Sequence, residues 1–415
     1  MEKHFISSQK RYPNMPKILM LVCDGMADRP LKELHGKTPL EVAIKKNLNF
    51  FAKKGINGLL DPIAPGIRVG SDTTHLALLG YDPYSVYTGR GPLEAIGCGI
   101  KLNKGDIAFR SNFATVDEQQ IVLDRRAGRI EDGTKDLANE INKIKVSGAQ
   151  IIFKESTAHR GALVLRGIGL SCNISDSDPH ILGSKVLDVN PLDSSLEAKK
   201  SAEIVNEFSK NAMRVLKDHK INVARLKKGL NPANMLLLRG CGSPTDILSF
   251  KDKSTLEGGC IATTSILKGL ARSLDMELIP ARKDYKNRIE DALKFLENND
   301  FLLLNFKETD DASHDNRHLE KIKIIEKIDR VLGPLKEFIK ENYLIILSDH
   351  TTSTKYGDHT ADPVPIVIAG PEVRCDNVDE FDEIHAARGG LNRIKGKNLI
   401  PIMLDLINKS EKFGA

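Results

Sequence analysis

The chain has 415 residues, of which 40% are hydrophobic and 28% are charged. A chain of this length and composition can bury a large core, which excludes disordered, collagen-like and small disulfide-stabilised proteins. The net charge of +5 arises from 61 basic and 56 acidic residues. This balance argues against a nucleic-acid or membrane partner. At about 100–200 residues per domain, we expect two or three domains.

The sequence predicts no membrane span, and at its start it favours a disordered tail over the alternative of a short transit peptide. The apolar runs, such as Ile18–Cys23, are strand-sized, whereas a membrane helix needs roughly 20 apolar residues. The stretch from Met1 to Lys17 is polar and mildly basic and lacks an apolar signal core, so we expect a tail there. We therefore expect a cytoplasmic protein. The sequence leaves its oligomeric state open.

Apolar runs alternate with amphipathic helical patterns along most of the chain. Continuous apolar runs are typical of strands that are covered on both faces of a sheet. We assign such strands to residues 17–23, 235–238, 301–305, 343–347 and 365–369. We predict helices over residues 40–54, 264–274, 288–298 and 319–340, with a break or kink in the last at Gly333-Pro334. The alternation predicts an α/β doubly wound sheet core.

The middle of the chain has a different pattern. Between residues 106 and 230 the apolar runs are shorter, and a long helix over 195–218 follows a bend rich in Pro, Asp and Ser. Asn231-Pro232 follows as a junction. We therefore predict that residues 1–105 plus 231–415 form the α/β core domain. Residues 106–230 would form an inserted α+β domain.

Polar side chains follow the predicted core strands at their ends, where open α/β sheets bind their ligands. In chain order these residues are Asp24, Asp310, His314, Asp349 and His350, with His359 nine residues further on. Carboxylate and imidazole groups are natural ligands of Zn, Mn and related divalent ions. Three Asp and three His residues suit a site for two metal ions, which typically serves phosphoryl transfer.

Ser71, in Gly70-Ser71-Asp72-Thr73, is the candidate for a seventh ligand. Gly70 permits a tight turn, and we expect Ser71 to be the N-cap of a helix with its hydroxyl facing the site. A metal-bound serine loses its proton more easily and becomes a nucleophile. The alternative for this motif is an ordinary helix cap.

A set of short motifs runs through nearly the whole chain, from about Lys17 to Leu406. They are Asp24-Gly25-Met26-Ala27-Asp28, Gly70-Ser71-Asp72-Thr73, Leu79-Gly80-Tyr81-Asp82-Pro83, Thr88-Gly89-Arg90-Gly91-Pro92, Asp124-Arg125-Arg126-Ala127-Gly128-Arg129, His159-Arg160-Gly161 and Ala387-Arg388-Gly389-Gly390-Leu391. With these motifs the chain resembles the archaeal-type, cofactor-independent phosphoglycerate mutases of the alkaline phosphatase superfamily. The resemblance implies an alkaline-phosphatase-like core and interconversion of 3-phosphoglycerate and 2-phosphoglycerate without 2,3-bisphosphoglycerate.

The resemblance also implies which residues hold the metals. One ion would be bound by Asp24, Ser71, Asp349 and His350, and the other by Asp310, His314 and His359. Asp311 competes with Asp310, but the family spacing to His314 is four residues, which selects Asp310. We expect manganese, while cobalt, zinc and magnesium are the alternatives for such ligands.

Cationic side chains are needed for a substrate that carries both a phosphate and a carboxylate. The inserted domain offers Arg125, Arg126, Arg129, His159 and Arg160 for the glycerate. Solvated or locally paired arginines are the alternative.

Two further catalytic roles complete the expected site. Lys268 resembles the lysine that family members point at the phosphoryl group, and Asp124 is our expected general base. Another metal-dependent phosphotransferase or phosphatase of this superfamily, homoserine-kinase-like or phosphonate-acting, is the first alternative function. A non-catalytic metal-binding or regulatory protein is the second.

Overall fold

The computed structural model describes residues 15–412 and Gly414. Most of the predicted N-terminal tail, residues 1–14, lies outside these residues. The strands are β1 Ile18–Cys23, β2 Gly55–Asp61, β3 Ile107–Val116, β4 Val122–Asp124, β5 Gln150–Glu155, β6 Arg160–Arg166, β7 Met235–Gly242, β8 Gly258–Ala262, β9 Glu277–Pro280, β10 Phe301–Phe306, β11 Tyr343–Leu347, β12 Thr351–Ser353, β13 Asp358–Thr360, β14 Val364–Ala369 and β15 Asn392–Lys395.

The helices alternate with the strands along most of the chain. They are α1 Pro39–Val42, α2 Lys46–Lys53, α3 Ser71–Leu78, α4 Pro83–Val86, α5 Arg90–Gly97, α6 Thr134–Ile141, α7 Leu196–Lys217, α8 Lys220–Lys227, α9 Phe250–Ser254, α10 Ser265–Ser273, α11 Tyr285–Leu296, α12 Glu308–His314, α13 His318–Val331, α14 Leu335–Phe338, α15 Glu383–Ala386 and α16 Leu399–Leu406. Short 3-10 turns cover Lys32–Leu34, Ala127–Arg129 and Gly396–Asn398. Among the described residues, no helix has both the length and the apolar character that a membrane crossing requires.

An eight-stranded sheet forms the centre of the molecule, in the order β15-β2-β14-β11-β1-β10-β8-β9. Every residue of β1 is buried, because helices cover both faces of this sheet. Alternate side chains of β1 enter separate cores, with Met20 in one and Leu21 in the other. This arrangement explains why the strand has a continuous apolar sequence. The predicted α/β class with a sheet core is confirmed.

One strand of this sheet has the opposite direction to the others. β14 runs antiparallel to both of its neighbours, β11 and β2. The chain leaves β11, forms the β12–β13 hairpin and returns directly beside β11. A parallel return would require a crossover connection, and this segment contains none.

A smaller antiparallel sheet lies in the middle of the chain, in the order β4-β3-β6-β5, with β7 also paired to β3. One face of this small sheet packs on α6 and α7, and the other face packs on α5. The prediction that residues 235–238 belong to the core sheet is wrong, because β7 pairs antiparallel with β3. An apolar run alone does not specify which sheet it joins. The domain boundaries at 105/106 and 230/231 stay a prediction, and β7 favours a second boundary after Gly242.

The predicted helices are present with small changes of their ends. The long helix expected over residues 195–218 is α7, and the helix expected over 319–340 is divided into α13 and α14 around Gly333-Pro334. The helix expected over residues 40–54 is instead interrupted between α1 and α2. Asp329 of α13 accepts hydrogen bonds from the backbone amides of Asn47 and Leu48. These bonds satisfy amides at the start of α2 that have no partner within the helix.

A buried ion pair ties α13 to the loop after β1. The Lys321 ammonium is fully buried and donates to the Asp28 carboxylate at 3.0 Å, to the Ala27 carbonyl at 3.1 Å and to the Thr352 carbonyl at 2.9 Å. All three of its N–H groups therefore have a partner. Asp28 also accepts a hydrogen bond from the Thr354 hydroxyl at 2.9 Å. This network holds the β1 loop against the hairpin that contains His359.

We predict that Lys321→Met destabilises the protein by about 3–5 kcal/mol, because the substitution leaves the buried Asp28 carboxylate and two carbonyls without their donor. Urea unfolding followed by circular dichroism measures the change. Lys323→Met, at an exposed position of the same helix, is the matched control and should change stability by less than about 0.5 kcal/mol. Equal stability of the two variants would contradict the structural role of the Lys321 network.

Candidate active site

The predicted ligand residues meet at one edge of the central sheet. β11, β1 and β10 are adjacent and parallel, so their carboxyl ends lie side by side. Asp24 follows β1, Asp349 and His350 follow β11, and α12 with Asp310 and His314 follows β10. The β12–β13 hairpin, which comes directly after His350, brings His359 to the same edge.

The imidazole Nε2 atoms of the three histidines face the carboxylates. His350 Nε2 lies 3.2 Å from Asp349 Oδ2 and 3.4 Å from Asp24 Oδ1. His314 Nε2 lies 3.4 Å from Asp310 Oδ2, and His359 Nε2 lies 3.5 Å from Asp310 Oδ1. Asp310, His314 and His359 form one group that could hold a metal ion, and Asp24, Asp310 and His350 form another. We call these residues, together with Asp349 and Ser71, the ligand cluster.

Each of these histidines has a partner for its other ring nitrogen. His314 Nδ1 lies 2.7 Å from the Gly357 carbonyl, and His359 Nδ1 lies 2.7 Å from the Val69 carbonyl. A carbonyl only accepts hydrogen bonds, so Nδ1 carries the proton in both rings and Nε2 presents its lone pair to the cluster. This arrangement is typical of metal-ligating histidines.

The carboxylates of the cluster have the chemistry that a divalent cation requires. Asp349 Oδ2 is buried and has no hydrogen-bond partner among the described residues. Burial, and then the charge of Asp349, raise the pKa of Asp24. Burial would also raise the pKa of Asp310, but the positive charge of the nearby Lys307 holds it well below its usual range. Buried anionic oxygens at such short separations fit one or two bound cations.

Ser71 lies where α3 points its N-terminus toward the cluster, with its Oγ 3.2 Å from His350 Nε2. The expectation that Ser71 is the N-cap is wrong, because Gly70 occupies that position and Ser71 is the first helical residue. A Cβ on Gly70 would lie 2.5 Å from Asp72 Oδ1, so the position suits glycine. The Ser71 side chain caps no amide of α3 and is available to the cluster.

Lys307 is a cluster residue that the sequence analysis misses. Its ammonium lies 3.1 Å from Asp24 Oδ1 and also contacts Asp310. Burial opposes its charge, but the carboxylates of Asp24 and Asp310 raise the pKa of Lys307. The sequence feature that points to Lys307 is its position directly after β10, one helical turn before Asp310. Lys268 lies half-buried on α10, and no ion pair of the described residues joins it to the cluster.

The residues of the small sheet divide into two groups. Arg125 makes a bidentate pair with the buried Asp178, at 3.1 and 2.6 Å. The Asp124 carboxylate accepts hydrogen bonds from the Arg126 and Gly128 amides and from the Asn231 side chain. Both contacts stabilise the loop after β4.

The second group reaches toward the ligand cluster. Arg129 contacts Asp315 at 2.6 Å, and Arg126 lies 3.9 Å from the same carboxylate oxygen. Asp315 directly follows His314, so these arginines connect the small sheet to the edge of the cluster. Burial, and then the charges of Arg160 and Arg126, lower the pKa of His159 to about 3. His159 is therefore neutral at physiological pH.

Two further arginines of the small sheet, Arg110 and Arg239, are not identified by the sequence analysis. Arg110 on β3 pairs in register with Arg239 on β7, and Asn112 pairs with Arg160 on β6. Side chains at paired positions, and at positions two apart, lie on the same face of a sheet. The Nε atoms of Arg110 and Arg160 are buried without a hydrogen-bond partner in the described chain. The sequence feature that points to Arg110 is a charged residue in the middle of an otherwise mostly apolar strand, β3.

Burial and the neighbouring Arg90 and Arg239 lower the pKa of Arg110. Glu94 of α5 lies 3.7 Å from Arg110 and 3.2 Å from Arg90, so it offsets part of the positive charge. Arg239 in turn lies 3.8 Å from Asp178. Clustered guanidinium groups with free N–H donors are typical of a site for an anionic ligand. We call Arg110, Arg160 and Arg239 the arginine face.

Comparison with known proteins agrees with this geometry. The family model for 2,3-bisphosphoglycerate-independent phosphoglycerate mutase matches residues 52–222. A protein of Methanothermobacter thermautotrophicus named 2,3-bisphosphoglycerate-independent phosphoglycerate mutase 1 is 46% identical over 412 residues, which cover 96% of this chain and 100% of that protein. The protein of the same name from Methanocaldococcus jannaschii is 46% identical over 409 residues, covering 96% of this chain and 99% of that protein.

Two solved structures have the same fold. A protein from Pyrococcus horikoshii has a TM-score of 0.82 at 36% identity, covering 97% of this chain and 100% of that one. The cofactor-independent phosphoglycerate mutase from Thermoplasma acidophilum has a TM-score of 0.68 at 38% identity, covering 95% and 100%. The fold and the ligand cluster thus define an α/β protein with a carboxylate–imidazole site at its sheet edge. The chain belongs to the family of 2,3-bisphosphoglycerate-independent phosphoglycerate mutases, which confirms the resemblance.

We predict that Lys307→Met increases the affinity of the metal-free protein for Mn²⁺ by about tenfold or more, because a competing cation is removed from Asp24 and Asp310. Isothermal titration calorimetry measures the affinity. Lys268→Met is the control and should bind Mn²⁺ like the unmodified protein. If Lys268→Met changes the affinity and Lys307→Met does not, the assignment of the two lysines is reversed.

Proposed function

We propose that this chain interconverts 3-phosphoglycerate and 2-phosphoglycerate by passing the phosphoryl group through Ser71. The observation that supports this most directly is the Ser71 hydroxyl, 3.2 Å from His350 Nε2 within the ligand cluster. The relatives that are 46% identical along the chain carry the name of this activity. The substrate class is accordingly a small phosphorylated molecule.

Two divalent metal ions fit the ligand cluster, and we propose manganese for both. Asp24, Ser71, Asp349 and His350 would hold one ion, while Asp310, His314 and His359 would hold the other. The unpartnered Asp349 Oδ2 and the convergent Nε2 atoms support this assignment. When bound, the ions make the serine hydroxyl more acidic and neutralise charge on the phosphoryl oxygens.

The chain's own groups perform two transfers in sequence. Ser71 Oγ attacks the phosphorus, the bond to the substrate oxygen breaks, and the serine proton passes to the glycerate oxygen that leaves. The glycerate then reorients, its other hydroxyl attacks the phosphoserine, and the proton returns to Ser71. The Lys307 ammonium supplies positive charge next to the phosphoryl group during both transfers. Asp124 stays a candidate general base, although its three accepted hydrogen bonds favour a structural role.

The small sheet would hold the glycerate while the phosphoserine exists. The arginine face offers the Nε atoms of Arg110 and Arg160, which have no hydrogen-bond partner among the described residues, for the carboxylate. Arg126, Arg129 and the neutral His159 belong to the same small-sheet domain. The contact of Arg129 with Asp315 supports a closed arrangement of the two sheets over the cluster. Closure excludes water, which would otherwise hydrolyse the phosphoserine and convert the enzyme into a phosphatase.

We predict that Ser71→Ala abolishes mutase turnover and leaves the fold intact, because the Ser71 side chain caps no helix amide. A coupled mutase assay and circular dichroism measure the two properties. Thr73→Ala serves as the control, since its hydroxyl bonds to the Gly70 carbonyl rather than to the cluster, and most activity should remain. Substantial turnover by Ser71→Ala would exclude Ser71 as the nucleophile.

We predict that a substitution on the arginine face and a substitution in the ligand cluster affect mutase turnover and phosphate release differently. Arg160→Ala should lower mutase turnover by about 100-fold because the glycerate loses a charged partner, whereas slow phosphate release should persist or increase. His359→Ala should lose both activities, since it removes a metal ligand. Phosphate release and mutase turnover are measured on the same preparation. Arg214→Ala, at an exposed position of α7, is the control. Loss of Mn²⁺ binding by Arg160→Ala would refute this division of roles.

A further inference from the structure

Thr352 lies between the two groups of ligand residues. It is fully buried on β12. Its hydroxyl oxygen is 2.9 Å from His350 Nδ1 and 2.8 Å from Asp310 Oδ1. His350 and Asp310 belong to different metal positions in the proposed function. We propose that Thr352 is a positioning residue that orients both ligands through this one hydroxyl and thereby couples the two metal positions, an inference that rests on the proposed function.

The directions of the two hydrogen bonds follow from the single proton of the hydroxyl. The Thr352 hydroxyl donates its proton to Asp310 Oδ1, since a carboxylate oxygen accepts hydrogen bonds. The Thr352 oxygen then accepts a hydrogen bond from His350 Nδ1–H. His350 therefore has its proton on Nδ1 and its Nε2 lone pair toward Ser71 and Asp349. Thr352 fixes for His350 the tautomer that backbone carbonyls fix for His314 and His359.

The backbone around Thr352 keeps this hydroxyl in place. The Thr352 amide donates to the Ala27 carbonyl at 3.0 Å, and its carbonyl accepts from Lys321 at 2.9 Å. Its cross-strand partner on β13 is His359. The branched side chain of threonine also restricts rotation about χ1. The oxygen is thus held by the main chain on both sides and is aimed at both ligands.

Gly25 provides the space for this contact. A Cβ at position 25 would lie 2.6 Å from Thr352 Oγ1 and 2.7 Å from Asp310 Oδ1. The backbone of Gly25 also has a φ of +62°, a conformation that favours glycine. The glycine that follows Asp24 therefore has a role beyond the turn, since any side chain there would displace the Thr352–Asp310 bond.

Thr352→Val tests the proposal because valine has nearly the same shape and lacks the hydroxyl. Thr351→Val is the matched control, since Thr351 is also buried on β12 but donates to the Asp362 carbonyl at 3.2 Å instead of to a ligand. Thr352→Ser restores a hydroxyl. Calorimetric titration of metal-free protein with Mn²⁺ gives the affinity and stoichiometry, and ¹⁵N spectra of the histidine rings give the tautomer of His350.

We expect Thr352→Val to bind Mn²⁺ about 10- to 100-fold more weakly at both positions, and to lose the fixed Nδ1-protonated form of His350. Thr352→Ser should lie within a few-fold of the unmodified protein, and Thr351→Val should match it. Weaker binding at only one position would refute the coupling. Unchanged binding and an unchanged tautomer in Thr352→Val would refute the proposal.

The remaining outcomes separate this proposal from the proposed function. If the unmodified protein binds no Mn²⁺, the metal assignment fails, while the His350 tautomer still tests the role of Thr352. If Thr352→Val does not fold, as judged by circular dichroism, Thr352→Ala is used with the same two measurements. A tautomer other than Nδ1-protonated in the unmodified, metal-free protein would overturn the hydrogen-bond assignment outright.

Discussion

Repulsion between buried carboxylates is the constraint on which the active site depends. Asp24, Asp310 and Asp349 follow adjacent strands, so the parallel pairing that builds the sheet also forces their charges together. The three carboxylates are buried, and each charge therefore needs a cation or a donor nearby. Lys307 supplies one positive charge between Asp24 and Asp310. Asp349 Oδ2 has no hydrogen-bond donor among the described residues, which leaves the cluster with the capacity to bind divalent metal ions.

The arginine face carries an excess of positive charge, whereas the ligand cluster carries an excess of negative charge. The Nε atoms of Arg110 and Arg160 are buried and have no hydrogen-bond partner among the described residues, and Glu94 offsets part of the charge of Arg110. A substrate with a phosphate and a carboxylate complements both halves, since its phosphate suits the metal side and its carboxylate suits the arginines. The Arg129–Asp315 contact connects the halves. In the proposed function, binding, transfer and water exclusion depend on the same closed arrangement of the two sheets.

The hairpin β12–β13 links the ligands to the rest of the fold. His359 is on one of its strands and Thr352 is opposite on the other. Lys321 and Asp28 hold this hairpin against the loop after β1. Two polar networks thus meet at Thr352, one from the buried ion pair behind the site and one from the ligands in front of it. Buried polar groups that are fully satisfied in this way rigidify a site and set its geometry.

The sequence by itself determined the α/β class and the family, and it predicted the residues that meet in the ligand cluster, because strand-end residues and contiguous motifs are local properties of the chain. It did not determine which sheet β7 joins, since an apolar run carries no information about its partner strand. It named Lys268 and did not identify Lys307 beside Asp24, and it did not show that Arg125 pairs with Asp178. These contacts, like that of Thr352 with Asp310, join residues far apart in the chain. Only the tertiary structure decides them, because side-chain partners depend on how distant strands are placed side by side.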